Sequence, residues 1–251
     1  MGGMTERNRV RSLFTLVQLN GLIPIRTQPL YLVNLIASPL SFLFFIWIVS
    51  KGALLAYGIT GGMVLTMLSV GTGLQSDLTH YKQDLKFQDI VVASPVEAPV
   101  YVAGMAFSEL VYSLPGLAVF VALFVVDGFA TPTSIVVLAG AMLLVWSFAT
   151  ALAFTLATYF QDVRETWMFS PIISLVLTVL PPVYYPISSL PSWAQVAARL
   201  SPTTYAAGLV QGAVGLAPLS LSGAALDWIV LVGFTAVLLV VAAVKARWRE
   251  P

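Results

Sequence analysis

Ionisable side chains are scarce in this chain, so any that falls inside an apolar run is a candidate for chemistry. Glu109, within AFSELVYSL, is the clearest case. A charge near the middle of a bilayer costs roughly 2.5–3.5 kcal/mol even on lenient insertion scales, and no Lys or Arg is expected at matching depth. Two readings stand: a neutral carboxyl bonded across helices to Asn34 or to a Ser or Thr, or a group lining a substrate path or a seam between two chains. His80 is the single histidine and has no second ligand at metal spacing. There is no cysteine, which excludes disulfides, thiolate metal sites and cysteine nucleophiles. No phosphate loop of the G-x-x-x-x-G-K-S/T type, no G-x-S-x-G and no H-E-x-x-H occurs, so an enzyme reading lacks its constellation.

The setting for these residues is a membrane. Hydrophobic residues make up 59% of the 251 positions and charged residues 9%, with mean hydropathy +0.92; soluble domains carry roughly 25% charged residues. The length holds about six spans of ~20 residues with short connections. The expected fold is all-α and integral to the membrane, with spans at 29–50, 53–74, 99–126, 133–160, 167–185 and 227–244. Ahead of them, 7–23 reads as an interfacial helix with its basic side toward headgroups. Val10, Leu13, Phe14 and Val17 fall on its apolar stripe.

Two segments between spans are distinctive. In the hydrophilic stretch 75–96, Ser76 with Asp77 marks a helix start, and Leu78, Tyr81 and Leu85 share a face opposite Lys82, Asp84, Lys86 and Asp89. Ser94-Pro95-Val96-Glu97 then reads as a capping box with Glu97 as the reciprocal partner. Between 186 and 227 the chain is too apolar for a free loop, yet Pro191, Pro202, Gly208, Gly212, Gly215 and Pro218 break it. Trp193, Val196, Ala197 and Leu200 line one short helix there, and Tyr205 and Leu209 begin another. Such pieces cannot span, and are expected to dip into the membrane and return over 186–215.

Charge sets the orientation. With both termini inside, Arg7, Arg9, Arg11, Arg26, Lys82, Lys86, Arg164, Lys245, Arg247 and Arg249 are cytoplasmic, against Lys51 and Arg199 outside. The bases are scattered rather than gathered on a soluble face, so no nucleic-acid partner is implied.

The sequences DIVVASPVEAPVYVAG, FQDVRETW and above all PPVYYPISSLPSWAQVAARLSPTTYAAGLVQG resemble those of the permease subunits of type-2 ABC exporters, over nearly the whole chain. The resemblance implies a plasma or inner membrane protein that pairs with a second permease, a copy or a paralogue, and with two separate ATPase subunits. ATP and Mg would be bound on those subunits, with no cofactor in this chain. It also implies a coupling helix over 77–95 that seats on the ATPase through Asp77, Tyr81, Lys82, Asp84, Leu85, Lys86 and Asp89. Asp162, Arg164 and Glu165 would form a second contact. The broken outer helices, with Tyr184, Tyr185, Pro186 and Trp193, would gate a path that Glu109 and Asn34 line. The chain lacks a large extracellular domain and a dense aromatic belt, so the implied cargo is small and amphipathic or lipid-like. The rival reading is a stand-alone channel or secondary transporter, which would need an intramembrane ion relay or inverted three-span repeats.

Overall fold

The computed structural model describes residues 6–27, 29–84, 86, 90–91, 93–94, 96–160, 162–178 and 181–245. Among them the regular structure is helical, without strands. Helix α1 (Glu6–Val17) continues through a π-helical turn (Gln18–Leu22) into α2 (Ile23–Thr27). This segment lies along α5 (Ala98–Val126), with Leu16 buried against Gly104. Val10 and Phe14 of the apolar stripe are exposed, and the buried positions are Leu16 and Gly21. Arg9 anchors the segment with a 2.7 Å ion pair to Glu97. Glu97 is itself the N-cap residue of α5 and makes no capping bond through its side chain, so the capping box is corrected to this ion pair.

Helix α3 (Pro29–Ser50) lies over the residues expected as the first span. It stops where Lys51 and Gly52 take positive φ and the Gly52 N–H donates to the Trp47 carbonyl at 2.9 Å. Helix α4 (Leu55–Gln83) departs from expectation, since it runs straight through Ser76 and Asp77 to Gln83. Asp77, Tyr81 and Lys82 therefore sit on the last turns of a long helix, not on a separate one that begins at Ser76. After α5, Gly128 (φ 76) reverses the chain, and α6 (Pro132–Tyr159) opens with a reciprocal cap between Thr131 and Ser134.

Helix α7 (Val163–Thr178) starts four residues earlier than the expected fifth span and ends seven earlier. Pro181 and Pro182 follow it, and two adjacent prolines withhold the N–H groups that a helix needs. The short α8 (Ser192–Ala198) and α9 (Pro202–Ala213) come next, then α10 (Leu221–Lys245), which starts six residues ahead of the expected sixth span. Among the described residues, four helices are long and apolar enough to cross a membrane: Leu55–Gln83, Pro99–Val126, Pro132–Tyr159 and Leu221–Lys245. The protein is thus an all-helical, multi-pass membrane protein. In α3 the apolar run found is Leu35–Ser50, and α7, at roughly 24 Å by 1.5 Å per residue, falls short of a ~30 Å bilayer core.

Helix α4 is the axis of the bundle and packs on α6, α5, α7, α3 and α9. Lipid is as apolar as leucine, so helix association inside a bilayer depends on close packing and small residues. Gly71 supplies this on α4: a Cβ there would lie 2.6 Å from the Cβ of Ala149 on α6. Around these contacts Ile59, Met63, Phe120, Val145, Val183, Leu209 and Leu231 form one buried cluster, and Leu16, Leu74, Leu78, Tyr101 and Met105 a second. Hydroxyls inside the spans bond to their own helix, as Thr60 does to the Ala56 carbonyl and Thr79 to that of Gln75.

On α8 the residues that pack are Ala194 and Ala198, while Trp193, Val196 and Leu200 are exposed. Helix α9 lies deep in the bundle against α10, α6 and α4. Its Gln211 side chain donates to the carbonyls of Pro182 and Val183 at 3.0 and 3.3 Å and so ties the double-proline turn to the core.

Candidate functional site

One end of the bundle carries Arg9, Arg11, Lys82, Lys86, Arg164 and Lys245, and the candidate coupling residues gather there. Lys82 is half-buried on the last turn of α4, Asp84 caps that helix, and Lys86 is exposed with φ 52. Leu85 and Asp89, with residues 87, 88, 92 and 95 of the same expected element, lie outside the described residues. Tyr81 does not face outward as a free contact: its hydroxyl donates to Asn20 Oδ1 at 2.8 Å and joins α4 to the N-terminal segment. His80 Nδ1 meets Asp84 Oδ2 at 2.6 Å, and the described residues contain no metal-binding cluster.

The second candidate contact is held against the first. Asp162 Oδ1 accepts from the Arg164 N–H at 3.0 Å and begins α7, leaving the Arg164 side chain exposed and Glu165 half-buried. One turn on, the buried Thr166 hydroxyl donates to that of Thr79 on α4 at 3.2 Å, and Gln83 Nε2 reaches the Phe160 carbonyl at 3.5 Å. The end of α4 and the 160–166 turn are therefore one connected surface. The sequence offers these two segments separately; the Thr79–Thr166 contact that joins them carries no local signal.

At the polar centre of the membrane region Glu109 meets a partner that the sequence reading did not name. Its carboxyl hydrogen-bonds that of Asp77, across from α5 to α4. Ionised carboxylates only accept, so this bond needs a proton on one of the two. Gly73 makes room for it, since a Cβ at that position would run into Glu109 Oε2. Asp77 is thus a partner inside the bundle as well as a residue near the end of α4, and sequence reasoning placed it only at the surface. The spacing of Asp77 and Gly73, one turn apart on the helix facing Glu109, is the signal that pointed there.

Glu109 also borders a cavity of about 510 Å³ between α3, α4 and α5. Asn34 is carried by α3, one residue before Leu35 of the cavity wall. Of the candidate gate residues, Tyr184 is the one bound into the bundle. Its ring sits 4.7 Å from that of Phe42 and covers Gly61, while its buried hydroxyl has no partner among the described residues. Tyr185 and Pro186 are half-buried in the turn that follows, and Trp193 is 72% exposed and points away. Glu109 thus lines the cavity, and Tyr184 touches its wall at Phe42.

The described residues thus form a bundle of apolar helices around a partly polar groove, with a connected basic end. A model of the ABC-2 type transporter family matches residues 12–214, from α1 through α9, and the chain belongs to that family. Its members are the membrane components of transporters, generally non-catalytic, and work with ABC ATPase partners. No match was found among curated proteins.

Proposed function

We propose that this chain is the permease subunit of an ATP-driven exporter. It would pair with a second permease, a copy or a paralogue, and with two ATPase subunits that bind ATP and Mg. In this reading α3 and α7 complete a six-span arrangement in the cell membrane, with both termini cytoplasmic and the short helices over 186–215 re-entrant from outside. The charge asymmetry supports the orientation. The observation that carries the reading is the union, through Thr79 and Thr166, of the α4 end with the 160–166 turn. A surface joined rigidly to two helices can pass on an ATPase movement as a rigid-body shift. Lys82, Asp84 and Lys86, with Asp162, Arg164 and Glu165, form the proposed ATPase contact. Tyr184, Tyr185 and Pro186 form the gate, and the cargo is small and amphipathic or lipid-like. Purification from native membranes tests the partnership: an ATP-binding cassette subunit should copurify, and wash off when Lys82, Asp84 and Lys86 are reversed in charge. Retention of the same subunit by that variant would count against the contact.

A second reading has one observation behind it. The Asp77–Glu109 bond is the kind of carboxyl pair that a proton-coupled carrier uses. Uptake into liposomes driven by a proton gradient, without nucleotide, would favour that reading.

A further inference from the structure

The cavity between α3, α4 and α5 has about 510 Å³, within the range of sites for small organic ligands. It follows α5 from Glu109 to Phe120, roughly 16 Å at 1.5 Å per residue. Phe42 and Phe120 line one end and Glu109 with Gly73 the other. The wall is therefore amphipathic along its length.

Its polar lining consists of Glu109, Tyr112 and the hydroxyls of Ser38, Thr66, Ser69 and Ser113. The Thr66 hydroxyl donates to the Gly62 carbonyl at 2.8 Å and the Ser113 hydroxyl to the Leu110 carbonyl at 2.8 Å. Each spends its only proton on its own helix and keeps lone pairs. Pro39 has no N–H, so the Leu35 carbonyl lacks its helical donor. That carbonyl faces Gly116, where an added Cβ would meet it at 2.8 Å. Glu109 adds carboxyl oxygens. Its carboxyl neighbours that of Asp77, and among the described residues neither acid has an ion pair with Lys or Arg. A cavity that offers hydroxyl oxygens and a carboxyl without a Lys or Arg partner at one end, and aromatic rings at the other, is complementary to a donor head on an apolar tail.

We propose that this cavity binds an amphiphile with a primary or secondary ammonium head, the head at Glu109 and the tail against Phe42 and Phe120. That the ligand is the cargo rests on the exporter reading; that it binds does not.

The test is saturation binding of radiolabelled decylammonium to the protein in nanodiscs, with the subunits that copurify, against decanol as the neutral match and empty discs as background. Saturable decylammonium binding, weakened at least tenfold by Glu109→Gln while decanol binding is unchanged, is the expected result. Ser113→Phe, which fills the cavity and keeps both acids, should weaken both ligands. Thermal unfolding of each variant establishes that it is folded. Decylammonium binding no greater than to empty discs overturns the proposal, as does equal binding by folded Glu109→Gln or undiminished binding by folded Ser113→Phe. No arm needs nucleotide. Binding without ATP-driven flux would therefore remove the exporter reading alone, and ATP-driven flux of another cargo without decylammonium binding would remove this proposal alone.

Discussion

Replacing Gly71 with Val tests whether α4 is held against α6 by small residues. The new Cβ would lie 2.6 Å from the Ala149 Cβ, 2.7 Å from its carbonyl oxygen and 2.8 Å from its carbonyl carbon. Carbon atoms settle at about 3.5–4.0 Å, so the helices must part by about 1 Å. Overpacking of this kind costs ~1–3 kcal/mol, and better helix propensity returns only a few tenths. A net loss of about 1–3 kcal/mol follows. Gly233→Val on α10 is the control, because no heavy atom lies within 4 Å of a Cβ there, and its change should stay within about 0.5 kcal/mol. Adding Ala149→Gly to Gly71→Val removes the Cβ contact but leaves both carbonyl contacts, so the rescue should be partial. Thermal unfolding of the three variants in one lipid environment, read alongside nucleotide hydrolysis by the partner, is the assay. Equal unfolding temperatures for Gly71→Val and Gly233→Val would refute this account of the α4–α6 contact.

Three further outcomes are expected. Thr131→Ala removes the hydroxyl that caps α6 and should cost about 1 kcal/mol of stability in chemical or thermal unfolding. Arg9→Glu should loosen the N-terminal segment, with faster backbone hydrogen exchange over α1, and Arg9→Glu with Glu97→Lys should restore protection; the half-exposed pair itself contributes under about 1 kcal/mol, weakened by salt. Tyr184→Ala should destabilise by roughly 3 kcal/mol or more while Trp193→Ala changes stability by under about 0.5 kcal/mol, since Tyr184 packs on Phe42 and Gly61 and Trp193 is exposed; similar losses from the two would contradict the placement of α8.

The legible parts of this fold were those set by backbone chemistry. The Lys51-Gly52 turn ends α3 where the expected first span ends. Facing was harder to read, because in a membrane an apolar side chain is equally at home against lipid or protein. Periodicity therefore found the stripes on α1 and α8 but not the sides that pack on protein, where Leu16 with Gly21 and Ala194 with Ala198 are buried. The continuation of α4 was hidden for another reason. Ser76-Asp77 looks like a helix start only if Asp77 meets water, and its actual partner, Glu109, is thirty-two residues away in the chain. Local signals cannot show a bond of that range. The cavity beside Glu109 was out of reach too, because it depends on how α3, α4 and α5 meet and not on any one of them.

Flux in reconstituted proteoliposomes addresses the central claim, that energy reaches this chain from a partner ATPase. The chain and its copurifying ATPase, loaded with an amphipathic cargo, should move it only when ATP and Mg are supplied on the face that bears Lys82 and Arg164. Flux should stop when the partner cannot hydrolyse nucleotide. Full flux from this chain alone, with no nucleotide present, would contradict the account.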